Sequence, residues 1–503
     1  MNSQHFLICI KTNENSGGYA VQMPTRATHP APSLCSAPEG TEDRATVSPP
    51  LPATSRAWLQ LAITSLIVAG LLSITVVVGR LPLFAHWIND AHFFKRCLVV
   101  HVDLALILWF YACLASIDAI RTATPTATAR YLPVWITCAG VGLMLVTALL
   151  PDAVPILANY VPVIDHPVFF LGLALVFSGL AMHLLPNLLR PSTGSLPVDA
   201  SIGIRAACLA FLFALVTLLA AWAGMPEVHD PYIRYETLMW GFGHVLQCVN
   251  LCAALAVWCW LVHELTATSL LSRKAAILLF SLLIVPHAAG PLLTVNGTLN
   301  STYIEGFTFL MRWTLFPVAT LMAVRVIHHL RRFPVRQACP RSGLIRTGLL
   351  ASMSLLALGF GIGFLIRGSN TLIPAHYHAS LGAITAAFMT VAYLLASRHA
   401  PRTSLARYWT LGNLQLALFG IGQSVFVAGF AIGGCFGLGR KSYANEQVVH
   451  HTGETIGLIV MGIGGLIAII AGMLFLILIV KSIIGSVRWS TSEPELPITQ
   501  LHT

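Results

Sequence analysis

Residues Asn370 to Gly382 read NTLIPAHYHASLG, two histidines set two positions apart near the start of an apolar run that continues to about residue 396. A charge-free run of this length crosses the roughly 30 Å hydrocarbon core as a helix rising 1.5 Å per residue. On such a helix His376 and His378 point about 200° apart, so they cannot share one metal ion. They can serve two different groups, one on each side of the helix. Ionisable side chains at membrane depth mark function by default, and neutral imidazole is a suitable axial ligand for haem iron.

The rest of the chain has the same solvent. Its 503 residues are 56% hydrophobic and only 10% charged, and mean hydropathy is +0.77, a composition foreign to a water-soluble domain of this size. Twelve apolar runs of crossing length recur, at about 57–79, 97–118, 131–150, 167–187, 203–225, 238–263, 275–297, 304–327, 344–367, 372–396, 407–434 and 453–482. The expected fold class is therefore an all-α polytopic membrane bundle of about twelve helices. The expected membrane domain spans 56–484, between a disordered N-terminal tail, 1–55, and a short C-terminal tail, 485–503. No apolar stretch before Trp58 has the form of a signal peptide.

A net charge of +10 does not mark nucleic-acid binding here, because the cations sit in loops between apolar runs. One set of loops carries Arg121, Arg130, Arg190, Arg273, Lys274, Arg331, Arg332 and Arg398, among others. The other set is poorer, with Lys95, Arg96, Arg367, Arg440 and Lys441 mixed among carboxylates. The positive-inside rule then puts both termini in the cytoplasm of a cell inner membrane. The eleven cysteines show no C-x-x-C and no C-x-x-C-H, and read as small apolar packing residues.

Most of the nineteen histidines lie in loops or at helix ends, the tandem His328-His329 included. Three lie inside other runs: His101 in CLVVHVDLALILWF, His244 in MWGFGHVLQCVN and His287 in LLIVPHAAGPLL. Under the assigned orientation, His101, His244 and His376 each lie roughly 6–9 Å below the outer end of a helix, with His287 somewhat deeper. Four helices thus present imidazoles to one layer. Zinc is a poor match, since no H-E-x-x-H or C-x-x-C is available.

At these residues the sequence resembles subunit I of the haem-copper oxidase superfamily, which includes oxygen reductases and nitric oxide reductases. The resemblance covers nearly the whole membrane region, and its most specific piece is NTLIPAHYHASLG. It implies that His376 is the axial ligand of a high-spin haem and that His378 and His101 bind a low-spin haem. It further implies that His244 and His287 hold copper or non-haem iron beside the high-spin haem. ANYVPVIDHPVFFLGLALVFSG, from Ala158, resembles the stretch around the fourth helix of one oxidase branch. GLGRKSYANE, from Gly437, is similar to the family's basic pair, with Arg440 and Lys441 holding haem propionates.

Three departures stand beside these matches. His287 is followed by Ala288 where the family usually has a second histidine, no tyrosine occurs in the seventh run, and Cys248 stands four residues after His244 where tyrosine or glutamate is expected. Cys248 shares a helical face with His244 and is either a packing residue or a third ligand to a soft metal. Arg312, midway in the eighth run, is expected to face the bundle and pair with Glu305 or a propionate, and Asp103 is a candidate for proton traffic.

The resemblance implies a catalytic subunit that passes electrons through two haems to oxygen, with protons taken from the cytoplasm. Nitric oxide reduction, a two-haem electron relay and a haem-free histidine transporter are the alternatives. With no donor motif in the chain, electrons are expected from a partner subunit or a cytochrome c; lipid and a gaseous substrate are the other expected partners, and nucleic acid is not one.

Overall fold

Helices form where the apolar runs predict them, since buried backbone in lipid must be satisfied within the segment. The structure, a computed structural model, describes residues 51–78, 90, 92–122, 131–335, 338–399, 405–440 and 450–490. The expected N-terminal tail lies outside them up to residue 50. The C-terminal tail expected from 485 is still helical to Ser490, and 491–503 lie outside the described residues.

In chain order the long helices are α1 (Ala53–Val78), α2 (Phe93–Thr122), α3 (Leu132–Ala148), α4 (Pro167–Leu188), α5 (Val198–Ala223), α6 (Pro231–Thr266), α7 (Arg273–Leu293), α8 (Ser301–Arg332), α9 (Pro340–Gly363), α10 (Leu372–Ala396), α11 (Leu405–Cys435) and α12 (Thr452–Ser490). Eleven of them are long and apolar enough to cross a membrane, and α3, at 17 residues, falls just short of that length. The all-α membrane bundle read from the sequence is the observed architecture. Among the described residues one small sheet pairs β1 (Val154–Ile156) antiparallel with β2 (Val163–Asp165), Val154 opposite Asp165.

Local sequence explains the helix starts and irregularities. Asp230 caps α6 by accepting from the Ile233 amide at 3.1 Å, with Pro231 in the first turn. α7 tightens to a 3-10 turn at Val285–Ala289, where Pro286 lacks an amide donor. α2 and α8 each contain a π-helical stretch, at Asp103–Leu108 and Met311–Leu315. Such bulges are frequent at functional sites, and these follow His101 and enclose Arg312.

The layering places the histidines. The apolar stretches of α6, α10 and α2 are 94%, 83% and 72% buried, against 28% for α8 and for α12. Outer helices such as α12 turn Ile459, Ile463, Leu466 and Ile470 outward, as lipid-facing surfaces do. The three central helices are those that carry His244, the His376-His378 pair and His101.

Two cations expected in loops are instead inside. Arg96 begins α2 fully buried, donating to the Ala148 and Ala153 carbonyls at 3.0 and 3.2 Å and pairing with Asp90. Arg121 is fully buried near the other end of α2, paired with Asp118 at 2.8 Å. A guanidinium buried this way is tolerated because its fork of donors is filled by carbonyl and carboxylate oxygens.

Candidate cofactor site

A cavity of about 1600 Å³ lies between the central helices and α8, α9 and α11. It exceeds the roughly 300–1,000 Å³ usual for small-molecule pockets. His101, His376 and His378 all line it, as do Trp240, Arg312 and Arg440. The helices and the loop before α10 thus bring together the three imidazoles that the sequence assigns to haem.

The hydrogen bonds fix the ring states. A carbonyl only accepts, so a ring nitrogen facing one carries the proton. His101 Nδ1 donates to the Ala69 carbonyl of α1 at 2.8 Å, and His376 Nδ1 donates to the Gly359 carbonyl of α9 at 2.7 Å. Each ring therefore keeps its Nε2 lone pair, which has no hydrogen-bond partner among the described residues, for the cavity it lines. A carbonyl behind one nitrogen that fixes the tautomer and aims the other is the usual support of a ligating histidine. Gly363 makes room for this, since a Cβ there would meet His376 Nδ1 at 3.0 Å. His378 lies within electrostatic reach of His101, and its ring is held by stacking on Phe430 (centroids 5.5 Å apart, planes 10°) and edge contact with Phe426 at 5.1 Å. These donors fit porphyrin iron.

Arg440 stands at the wall of the cavity, tying three segments together. Its Nε donates to Ser369 Oγ at 2.9 Å and one terminal nitrogen donates to Asn159 Oδ1 at 3.3 Å. The Thr371 amide donates to the Leu438 carbonyl at 3.0 Å, fastening this loop to the start of α10. Lys441 lies outside the described residues. Arg312 is not buried as expected: it is exposed, lines the cavity from the π-helical turn of α8, and makes no ion pair with Glu305 among the described residues. Asp103 is buried, and neither carboxylate oxygen has a hydrogen-bond partner.

The other three candidates lie off the cavity wall. His244 Nδ1 donates to the Trp240 carbonyl at 2.7 Å, so its Nε2 is an acceptor, and it accepts from the Tyr160 hydroxyl at 3.0 Å. Both nitrogens are thereby engaged. His287 Nδ1 donates to the Leu283 carbonyl at 2.9 Å and its buried Nε2 has no hydrogen-bond partner. The Cys248 thiol lies beside the His287 ring and donates to the Leu283 carbonyl at 3.6 Å. Among the described residues no three His, Cys, Asp or Glu side chains converge into a metal site. The residues present do not fit a second metal.

Tyr160 is the residue that sequence reasoning passed over. It sits between β1 and β2, and its ring packs 4.6 Å from His244 and 5.8 Å from Trp240. Its neighbour Asn159 is gripped by Glu236 of α6, whose carboxylate accepts from the Asn159 amide at 2.7 Å and from its side chain. Burial, and then the nearby Glu236 charge, push the Tyr160 hydroxyl well above its usual range, which keeps it a neutral donor. The tyrosine lies in a quoted motif, ANYVP, but nothing in the spacing says that this loop folds back onto α6.

No family model matches the chain. An uncharacterised protein of Rickettsia prowazekii is 26% identical over 482 residues, covering 84% of this chain and 94% of that protein. An uncharacterised protein of Aquifex aeolicus is 26% identical over 340 residues, covering 67% and 83%. Among solved structures, a cryo-EM structure of a heme-copper terminal oxidase dimer aligns over 89% of this chain and 85% of that one, with a TM-score of 0.63 and 17% identity. The fold is that of a haem-copper terminal oxidase. A haem-copper oxidase fold at such low identity constrains the helix arrangement, so the chemistry has to be argued from the side chains at the cavity.

Proposed function

We propose that this protein is a haem-binding membrane oxidoreductase of the haem-copper oxidase kind, the subunit that delivers electrons to a diatomic gas, with oxygen as the first substrate to test. The observation that carries the reading is that His101, His376 and His378, from two central helices, line one 1600 Å³ cavity, with His101 and His376 locked by backbone carbonyls in the tautomer that leaves Nε2 open.

In this reading His101 and His378 would hold one haem from both sides, and His376 a second from one side. Bound haem would supply one-electron redox chemistry and a seat for a gas. The Ala69 and Gly359 carbonyls raise the basicity of the two imidazoles and hold their planes. Arg440, braced by Ser369 and Asn159, offers a guanidinium to carboxylates at the cavity wall, a natural partner for haem propionates, with Lys441 proposed beside it and Arg312 as a further cation. The apolar walls, among them Leu106, Leu356 and Ile384, would keep water away from a bound haem. Protons would come from the cytoplasm, and electrons from a partner subunit or a cytochrome c, in an inner membrane with both termini cytoplasmic.

The assignment of His244, His287 and Cys248 to copper or non-haem iron, with His244 and His287 in catalysis, belongs to the same family reading; the three lie near one another, but both nitrogens of His244 are engaged and among the described residues no three such side chains are placed to hold one ion. That observation favours the second reading, a two-haem relay that carries electrons without reducing a gas.

The test is a reduced-minus-oxidised spectrum of the purified protein with and without carbon monoxide. The proposal expects a low-spin signal that His101→Ala removes and a carbon monoxide complex that His376→Ala removes. Spectra unchanged by either substitution would refute it.

A further inference from the structure

His244, to which the family reading assigns a non-haem metal, has both ring nitrogens bonded to protein. Trp240, Gly243 and Tyr160 line the cavity, whereas His244, His287 and Cys248 do not; Tyr160 stands between His244 and the open space. We infer that this chain carries no non-haem metal beside the haem on His376, and that the hydrogen-bonded Tyr160–His244 pair takes its place as a fixed wall of a haem-only gas site. The inference rests on the two-haem reading.

His244 must carry its proton on Nδ1, because the Trp240 carbonyl at 2.7 Å can only accept. The single lone pair, on Nε2, accepts from the Tyr160 hydroxyl at 3.0 Å. A metal could bind His244 only by displacing that phenol or breaking the bond to Trp240.

The phenol is held in place by a built structure. Tyr160 adopts φ +66°, a left-handed conformation that costs energy for a side chain of this size. Such strain persists only where the surroundings over-determine it. Here Glu236 binds both the amide and the side chain of Asn159, Arg440 binds Asn159 from the opposite loop, and the paired strands β1 and β2 close the strap. Gly243 completes the seat, since a Cβ at that position would lie 2.3 Å from Tyr160 Cβ.

The remaining donors are few. His287 keeps one buried lone pair and Cys248 one thiol. The next position is Ala288; Cys252 adjoins Cys248, yet among the described residues no three His, Cys, Asp or Glu side chains are placed to hold one ion. Zinc sites in proteins take three or four protein ligands.

The experiment uses the full-length protein purified in detergent, before and after incubation with copper(I), iron(II) or zinc(II) and desalting. Haem is counted by pyridine haemochrome, and total metals by mass spectrometry. The expected result is two haem irons per chain, no stoichiometric further metal in any sample, and a high-spin ferric resonance of full integrated intensity in the oxidised protein, because no non-haem metal lies beside that haem to couple with it. One equivalent of non-haem metal per two haems, retained on desalting and lost in His244→Ala or His287→Ala, would overturn the inference while leaving the two-haem reading intact. Protein that takes up no haem at all would overturn both.

Discussion

Two clusters of buried polar side chains lie toward opposite ends of α2, and they are built on opposite rules. Asp118, 17 positions after His101 and so about 25 Å farther along the helix, belongs to a closed network. Arg121 Nε donates to Asp118 at 2.8 Å, the Asn187 amide donates to Asp118 at 2.5 Å, Arg121 also donates to the Asn187 carbonyl at 2.7 Å, and His183 donates to the Ala115 carbonyl at 3.0 Å. Protein satisfies protein there. Near His101 and His376 each ring spends one nitrogen on a carbonyl and leaves the other to a cavity. Buried polar groups are normally satisfied, so a set of donors left open around one void marks a ligand site, whereas a saturated set marks a structural clamp.

Substitutions at the two ends should separate these roles. The largest effect is expected from His101→Ala, which should abolish the low-spin haem signal outright, while His183→Ala should leave haem content per folded protein unchanged. Equal haem loss in both would erase the distinction. Next, Asp118→Ala strands the fully buried Arg121 guanidinium and should lower stability by about 3–5 kcal/mol, read as thermal unfolding in detergent, without shifting the haem spectrum. Glu236→Ala releases Asn159 and should cost about 1–3 kcal/mol; because the strap borders the cavity, it should also move the carbonyl stretch of bound carbon monoxide, which Asp118→Ala should not. The smallest effect concerns Asp90, whose carboxyl the Arg96 guanidinium holds below its usual value of 3.8. A carboxylate with a depressed folded-state pKa adds stability above its unfolded pKa and loses it as pH falls through the folded value. Wild type should therefore unfold at higher temperature than Asp90→Asn near pH 6, and the gap should close below about pH 4.

Much of the bundle was legible because lipid imposes one rule: twelve apolar runs became twelve helices, and the H-x-H pair lies on a central helix lining the cavity. Spacing alone was enough to say that His376 and His378 face different ways. What stayed hidden depends on long-range packing. His183, near the end of the run at 167–187, carries no mark of its role there; its contacts with Ala115, 68 positions away, and with the Trp58 ring at 5.3 Å show that the role is structural. Arg96 and Arg121 read as loop cations because their partners, Asp90 with the Ala148 and Ala153 carbonyls and Asp118 with Asn187, carry no joint signature. Tyr160 was missed for the same reason, since it reaches His244 across 84 positions. The π-helical stretches, which set where Arg312 points, leave no mark in apolar periodicity.

The central claim is that the cavity holds two haems, one gripped by His101 and His378 and one hung from His376. An experimental density map of the purified full-length protein tests it most directly. The account predicts two flat, iron-centred densities meeting those three rings, with Arg440 beside their edges; acyl-chain or detergent density in the cavity, with no iron near the imidazoles, would contradict it.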